Sequence, residues 1–212
     1  MNLLADAALV VASFFLGAIP FGLVVSRLFF RRDLRAEGSG NIGAANALRT
    51  LGKGGAIAVL ILDALKGALP VVAGRALDGT TLAAVAAFAA IAGHCFSPFL
   101  NFRGGKGVAT SLGAFILLTP KSILCMVVLF LLIAVALRYV SLASVAVAAA
   151  FPLLAWAWRE YRDSRQLLLI AAVSALVIWK HRQNIGRIAT GTESKLGRKP
   201  HTEPRTLGAT RP

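Results

Sequence analysis

The stretch NFRGGKGVATS, residues 101–111, decides which kind of fold the chain can have. Three glycines surround Lys106, and two hydroxyl residues follow. Glycines let the backbone approach a ligand closely and a lysine supplies positive charge, so the stretch predicts a phosphate-binding loop. A Walker loop needs Ser or Thr directly after the lysine, whereas Gly107 stands there, and the flanking residues are almost entirely apolar. We therefore interpret the stretch as a loop between two membrane helices and exclude nucleotide hydrolysis.

The composition identifies a membrane protein. Of the 212 residues, 57% are hydrophobic and 15% are charged, and the mean hydropathy is +0.73. Such a chain has too little polar surface to cover a water-soluble globule. With about 20 residues per crossing, the chain predicts an all-α integral membrane protein with about seven transmembrane helices. The segments are approximately 3–29, 54–75, 80–100, 107–119, 121–138, 140–157 and 165–180. Whether the short segment 107–119 crosses the membrane completely stays open.

The basic residues predict the orientation. If the N-terminus faces out, 17 of the 23 Lys and Arg residues fall on the inner side, five on the outer side, and Lys66 within a span. Basic residues collect on the cytoplasmic side of membrane proteins, so the N-terminus is predicted outside and the C-terminus in the cytoplasm. The net charge of +14 then indicates anionic lipid headgroups or an anionic substrate, and no nucleic acid is expected as a partner.

The chain is predicted to form a single membrane domain over residues 1–195. Residues 196–212 form a basic tail rich in Gly, Pro and Thr, which predicts a disordered cytoplasmic segment. Cys95 and Cys125 lie in apolar surroundings without CxxC spacing, and the histidines form no cluster with cysteines and carboxylates. We therefore predict reduced thiols, no metal site and no cofactor.

Two further polar elements fall on the same predicted face as the glycine loop. The first, EGSGNIGAANALRTLGKGG at residues 37–55, combines turn-forming glycines with donors suited to phosphate. Its polar side chains include Ser39, Asn41, Asn46 and Arg49. The second, HRQNIGRIATGTESK at residues 181–195, places His181 and Asn184 three residues apart, on one face of a continuing helix. Both elements are also compatible with a flexible or snorkelling basic collar.

One pair of ionisable residues lies at membrane depth. Asp63 and Lys66, in LDALKG, are three residues apart and are expected to form an ion pair that lowers the cost of burial. The pair is interpreted as structural, although contact with the site stays possible on spacing alone.

The motifs closely resemble those of a known family. The residues are GSGNIGAAN…R at 38–49, GH.F…F.FRGGKGVAT at 93–110 and HR.NI.R…GTE.K at 181–195, with LDALKG between them. In this order and on one face they are similar to the bacterial membrane glycerol-3-phosphate acyltransferases that use acyl-phosphate, the PlsY family. The resemblance covers the chain except for its tail.

The resemblance implies a reaction and a location. The 1-hydroxyl of glycerol 3-phosphate would take a fatty acyl group from acyl-phosphate, giving lysophosphatidic acid and phosphate in the first step of phospholipid biosynthesis. The enzyme would lie in the bacterial inner membrane, with its active site on the cytoplasmic side. Its expected partners are glycerol 3-phosphate, acyl-phosphate and membrane lipids. A monomer is one option, and the sequence leaves the oligomeric state open.

The resemblance also implies roles for individual residues. The catalytic residues would be Ser39, Arg49, Lys106, His181 and Asn184. The substrate-binding residues would be Gly40, Asn41, Asn46, Gly104, Gly105, Gly107 and Thr110. Glu193 would be structural, together with Asp63 and Lys66.

The sequence leaves several alternatives open. His181 or the leaving phosphate could accept the proton of the hydroxyl. A transporter for a phosphorylated solute would need polar groups along a pathway between both faces, and a non-catalytic binder of anionic lipid would need only the basic collar. Acyl-chain preference and the order of substrate binding are not determined by the sequence.

Overall fold

The computed structural model describes residues 2–197, and this part of the chain is all-helical. The last fifteen residues of the predicted tail, 198–212, lie outside the described residues. The α-helices are α1 Leu3–Ala18, α2 Phe21–Phe30, α3 Ala44–Thr50, α4 Gly52–Cys95, α5 Val108–Leu118, α6 Pro120–Leu137, α7 Val140–Ala157, α8 Ser164–Lys180 and α9 Arg182–Ala189. A short 3-10 helix, Pro98–Leu100, precedes the glycine loop.

The first predicted segment is interrupted, with α1 ending at Ala18 and α2 beginning at Phe21. Pro20 causes the break, because proline has no backbone N–H and its ring clashes with the preceding turn. The carbonyl of Ile19 is freed by the break and accepts a hydrogen bond of 2.7 Å from Lys66 Nζ. The interruption therefore provides a partner for a lysine buried in α4.

Helix α4 consists of two arms that pack against each other. Asp78 and Gly79 have non-helical backbone angles, with φ +77° at Gly79, so the predicted break between segments two and three is present. A Cβ added to Gly74 would lie 2.6 Å from Ala83 Cα, which shows how closely the two arms approach. Small residues at such contacts allow the close helix packing that is favoured in lipid.

Helix α5 has 11 residues and packs tightly along the first arm of α4. A Cβ on Gly67 would lie 2.1 Å from the carbonyl oxygen of Thr110, and a Cβ on Gly113 would lie 1.9 Å from that of Ala64. At 1.5 Å per residue α5 measures about 16 Å, which is shorter than the roughly 30 Å hydrocarbon core.

The outside of the bundle is apolar, as expected for a protein in lipid. Large apolar side chains such as Leu4 and Val135 are 83% and 74% exposed. Within residues 2–197, four stretches are long and apolar enough to cross a membrane: Leu3–Phe30, Gly52–Leu100, Pro120–Leu137 and Val140–Ala157. The interior is closed by contacts such as the edge-to-face pair of Phe115 and Phe151, whose ring centroids are 4.9 Å apart.

Candidate active site

A cavity of about 330 Å³ lies where the glycine loop, the loop before α3 and the segment after α8 meet. The polar side chains that line it include those of Ser39, Asn41, Asn46, Arg49, Asp63, His94, Lys106, Ser141, His181, Asn184 and Glu193. Apolar walls come from α4, α6, α7 and α8, through Leu60, Ile123, Met126, Phe130, Phe151, Val173 and Val177. The cavity therefore joins a cluster of charged groups to an apolar channel among the helices.

Asn46 organises the loop before α3. Its Nδ2 donates to the carbonyls of Leu34, Glu37 and Asn41 at 3.0, 3.0 and 2.8 Å. Its Oδ1 accepts a hydrogen bond of 2.8 Å from the backbone N–H of Ser39. These contacts use both donors of the amide, so Asn46 shapes the loop that carries Ser39 although it also lines the cavity.

The glycine loop is fitted closely against His94 at the end of α4. A Cβ on Gly104 would lie 2.0 Å from the carbonyl oxygen of His94, and a Cβ on Gly105 would lie 2.1 Å from its Nε2. Gly107 has φ +84° and precedes α5, a conformation that favours glycine. The loop thus brings the backbone close to α4 and presents Lys106 to the cavity.

A hydrogen-bonded chain holds Lys106 in place. Lys106 Nζ donates to Asn184 Oδ1, and Asn184 Nδ2 donates to Glu193 Oε1 at 2.6 Å. Ser141 Oγ donates to the same oxygen at 2.7 Å, and Arg187 Nε donates to Oε2 at 2.7 Å. Because the amide nitrogen of Asn184 donates to Glu193, the amide oxygen of Asn184 points toward Lys106.

The environment keeps this network charged. Burial raises the pKa of Glu193, but hydrogen bonds from Ser141, Asn184 and Arg187 outweigh burial and hold that pKa below its ordinary value. Burial lowers the pKa of Lys106 to about 8, against the opposing attraction of Glu193. Glu193 is therefore ionised, and Lys106 is mostly protonated near neutral pH.

His181 follows α8 and presents one ring nitrogen to the cavity. Its Nδ1 lies 2.8 Å from the carbonyl oxygen of Val177, which can only accept, so Nδ1 carries the proton and Nε2 is an acceptor. Burial, and next the charge of Lys106, lower the pKa of His181 to about 4. The imidazole is thus neutral at physiological pH and suited to accept a hydrogen bond from a hydroxyl.

Arg49 brings a second cation to the cavity. Its Nε is buried, and no acceptor among residues 2–197 forms a hydrogen bond with it. Leaving a buried guanidinium N–H without a partner is costly, so an anionic ligand from outside the chain is the natural acceptor.

The Asp63 and Lys66 pair lies deep beside the same cavity. The Lys66 Nζ–Asp63 Oδ1 distance is 2.7 Å, and both side chains are 1% exposed. His94 Nδ1 lies 3.7 Å from Asp63 Oδ1. The predicted pair is therefore present, and its carboxylate reaches the cavity wall whereas Lys66 does not.

The structure brings most of the predicted residues to one cavity. Those that line it are Ser39, Asn41, Asn46, Arg49, Asp63, Lys106, Gly107, His181, Asn184 and Glu193. Gly40, Gly104, Gly105 and Thr110 do not line it. Thr110 instead lies against α4 through its contact with Gly67, and Gly104 and Gly105 act by packing against His94.

Sequence reasoning missed two residues. Ser141 completes the contacts of Glu193, but it is one serine in the apolar run of α7 and carries no sequence signal. His94, to which the sequence analysis assigns no role, supports the glycine loop. Its place in GHCF, shortly before that loop, was the available signal.

Comparison with known proteins gives one consistent result. The family model described as glycerol-3-phosphate acyltransferase matches residues 7–191. The glycerol-3-phosphate acyltransferase of Methylorubrum extorquens (strain PA1) is 45% identical over 193 residues, covering 91% of this chain and 93% of that relative. The relative of the same name from Geotalea daltonii is 42% identical over 197 residues, covering 92% of this chain and 99% of its own length.

Among solved structures, the fold matches the crystal structure of PlsY (YgiH), an integral membrane glycerol 3-phosphate acyltransferase, in its glycerol 3-phosphate form. The TM-score is 0.86 with 36% identity, over 91% of this chain and 96% of that chain. The lysophosphatidic acid form of the same protein matches with a TM-score of 0.84. With its fold, its motifs and these relatives in agreement, the chain belongs to the glycerol-3-phosphate acyltransferase family of integral membrane acyltransferases in lipid biosynthesis.

Proposed function

We propose that this acyltransferase moves a fatty acyl group from acyl-phosphate to the 1-hydroxyl of glycerol 3-phosphate, releasing lysophosphatidic acid and phosphate. One observation carries the proposal. The polar part of the cavity holds the unpartnered Nε of Arg49, the ammonium of Lys106 and a neutral His181, and the rest of the cavity is apolar. The glycerol 3-phosphate and lysophosphatidic acid forms of the related PlsY support the same substrate and product.

The cations suit the two phosphates of this reaction. Arg49 offers a planar guanidinium and Lys106 a compact charge, and the N-terminus of α5 begins directly after the glycine loop. Glycerol 3-phosphate brings one phosphate and acyl-phosphate the other. Together these donors neutralise the charge that accumulates when both substrates bind.

The apolar walls suit the acyl chain. The apolar lining includes Met126 and Phe130 on α6, Val147 and Phe151 on α7, and Val173 on α8. An acyl chain placed between these helices would keep its reactive carbonyl near Lys106 and His181. Alignment of hydroxyl and carbonyl then supplies much of the catalysis, because acyl-phosphate already carries a good leaving group.

The chemical step needs no covalent enzyme intermediate. The 1-hydroxyl oxygen bonds to the acyl carbon, the bond from that carbon to the phosphate oxygen breaks, and phosphate leaves with the electron pair. His181, with its pKa lowered to about 4, is a weak base, whereas the phosphate oxygen that leaves with the electron pair gains negative charge and accepts the proton better. His181 Nε2 therefore orients the hydroxyl, and the leaving phosphate takes its proton.

Two further residues have roles in this proposal. Ser39, at the mouth of the cavity, is held through its backbone N–H by Asn46, and its hydroxyl is available to substrate. Asn184, held by Glu193, fixes Lys106 and adds a polar group beside the reacting carbonyl.

The chain is proposed to cross the inner membrane seven times, with the N-terminus outside and the active site facing the cytoplasm. The seven apolar segments correspond to α1–α2, the two arms of α4, and α5 to α8. The short α5 links the active-site cavity, at Gly107 and Val108, to a second cavity at Leu118 and Thr119. Because α5 covers about 16 Å of a roughly 30 Å core, the glycine loop would lie below the membrane surface, within reach of an acyl group in lipid.

The proposal is tested with purified protein in lipid nanodiscs. Lysophosphatidic acid and phosphate should form in equal amounts from acyl-phosphate and glycerol 3-phosphate. Arg49→Gln and Lys106→Gln should each lower kcat/KM by at least about tenfold, because each removes a charge-assisted contact to phosphate. Arg182→Gln removes one charge from an exposed side chain that lies over the Trp179 ring outside the cavity, and it is the control. Full activity in both cavity variants would refute the assignment.

A further inference from the structure

A second cavity, of about 430 Å³, lies at the end of the bundle remote from the active site. It is formed where the first arm of α4 ends, α5 passes into α6, and α7 passes into α8. Its lining consists of Arg75, Thr80, Ala84, Phe115, Leu118, Thr119, Arg159, Glu160, Tyr161, Arg162, Gln166 and Ile170. The reaction described above uses none of these residues.

The cavity is electropositive although it contains a carboxylate. Glu160 Oε1 accepts the backbone N–H of Lys121 at 2.8 Å, and Oε2 accepts the backbone N–H of Ser122 at 2.8 Å and its Oγ at 2.6 Å. Glu160 is therefore occupied in capping α6. Neither Arg159 nor Arg162 forms an ion pair with any carboxylate in the part of the chain that the structure describes.

The segment that carries these two arginines is anchored at several points. Gln166, which is 5% exposed, accepts the backbone N–H of Arg162 at 2.8 Å through Oε1 and donates to Thr81 Oγ1 at 3.2 Å through Nε2. Glu160 ties the same segment to α6. The lining also includes Arg75, whose Nη2 donates to the carbonyl of Leu117 at the end of α5.

We propose that this cavity is a second anion site, which binds a phosphate oxyanion between Arg75 and the Arg159–Arg162 segment. Guanidinium groups match the oxygens of a phosphate or phosphodiester in geometry and charge. The ligand source that fits the surroundings is the headgroup of an anionic phospholipid. Phe115, Leu118 and Ile170 add an apolar side to the cavity.

The flanking aromatic residues agree with a headgroup position. Trp156 and Trp158 are 61% and 48% exposed, and tryptophans of this kind mark the level of the headgroups in a membrane. A phosphate at this level would bridge the end of the first arm of α4, the end of α5 and the connection between α7 and α8. A ligand that binds only the folded state stabilises it by mass action, so occupancy should raise the unfolding temperature.

The experiment measures thermal unfolding and retained lipid for the whole chain. The protein is reconstituted in nanodiscs of phosphatidylcholine alone, of phosphatidylcholine with phosphatidylglycerol, and of phosphatidylcholine with added inorganic phosphate. The test variant combines Arg159→Gln and Arg162→Gln. The control is Arg165→Gln, an exposed arginine in the first turn of α8 that does not line the cavity. Equal unfolding temperatures in phosphatidylcholine alone establish that the variants are folded.

We expect phosphatidylglycerol to raise the unfolding temperature of the wild type and of Arg165→Gln, and to do so less in the double variant. The difference between wild type and double variant isolates this cavity from any anion held at the active site. Each lost guanidinium contact should weaken lipid retention by about tenfold, as measured by native mass spectrometry. If inorganic phosphate alone gives the same cavity-dependent shift, the anion site stands with free phosphate as its ligand. An equal shift in all three proteins, or no shift in any, would overturn the proposal.

Discussion

Replacing Glu193 by Gln tests whether the network behind Lys106 supports catalysis. Glu193 accepts hydrogen bonds from Ser141 and Asn184 on Oε1 and from Arg187 on Oε2. A glutamine keeps one acceptor oxygen and places an NH2 group where the other was, so it loses at least one contact made to an ionised acceptor. Such contacts contribute about 1.5–3 kcal/mol each. Asn184 then loses its fixed orientation, and Lys106 loses its partner.

The expected result is a fall in kcat of about tenfold to a hundredfold, since each 1.36 kcal/mol corresponds to about a factor of ten. Ser141→Ala removes one neutral donor of about 1 kcal/mol and leaves the carboxylate with two partners, so a loss of about fivefold is expected. Activity is measured as phosphate release in nanodiscs, and thermal unfolding is measured in parallel. Wild-type activity in Glu193→Gln, or an equal loss in both variants, would refute the reasoning.

Three more predictions concern titration, the buried pair and the glycine loop. The pKa values of His181 and Lys106 are lowered to about 4 and about 8. In a pH profile, kcat/KM should therefore fall below about pH 4, because His181 gains a proton there. The KM for glycerol 3-phosphate should rise above about pH 8, because Lys106 loses its proton there. A constant KM up to about pH 10 would contradict this role of Lys106. Lys66→Met leaves its carboxylate partner buried without a counter-charge and should lower the unfolding free energy by about 3–5 kcal/mol. A double variant that also replaces the partner carboxylate by its amide should recover part of this lost free energy, as measured by chemical unfolding. An equal loss of unfolding free energy in the single and double variants would count against the ion pair. Gly105→Ala places a Cβ 2.1 Å from a histidine nitrogen and should raise KM for glycerol 3-phosphate, whereas Gly186→Ala, with no neighbouring atom within 4 Å, should not. Equal kinetics for the two alanine variants would show that the loop tolerates displacement.

The helical membrane fold and the convergence of three motifs were predictable from the sequence. A bilayer restricts helices to two directions, so alternation of apolar segments brings every second loop to the same face. Lys106 is far from His181 and Asn184 in the chain, yet this alternation predicts that they lie on the same face. The structure places all three in the lining of one cavity.

The finer arrangement was not predictable, because it depends on side-chain contacts between distant helices. The contact of Ser141 with Glu193 requires the register of α7 against the segment after α8, which no local pattern specifies. The contacts of the Asn46 amide are local, but they depend on the path of its own loop, which no sequence pattern specifies. The interruption of the first segment was accessible in principle, since Pro20 stands within the apolar run.

The central claim is that the cavity joins acyl-phosphate to glycerol 3-phosphate, and a donor and acceptor panel tests it most directly. Purified protein in nanodiscs is given acyl-phosphate, acyl-CoA or acyl-carrier protein, each with and without glycerol 3-phosphate, and released phosphate and lysophosphatidic acid are quantified. The account predicts equal amounts of both products from acyl-phosphate, and only when glycerol 3-phosphate is present. Phosphate release that does not depend on glycerol 3-phosphate, or product formation from acyl-CoA or acyl-carrier protein but not from acyl-phosphate, would contradict it.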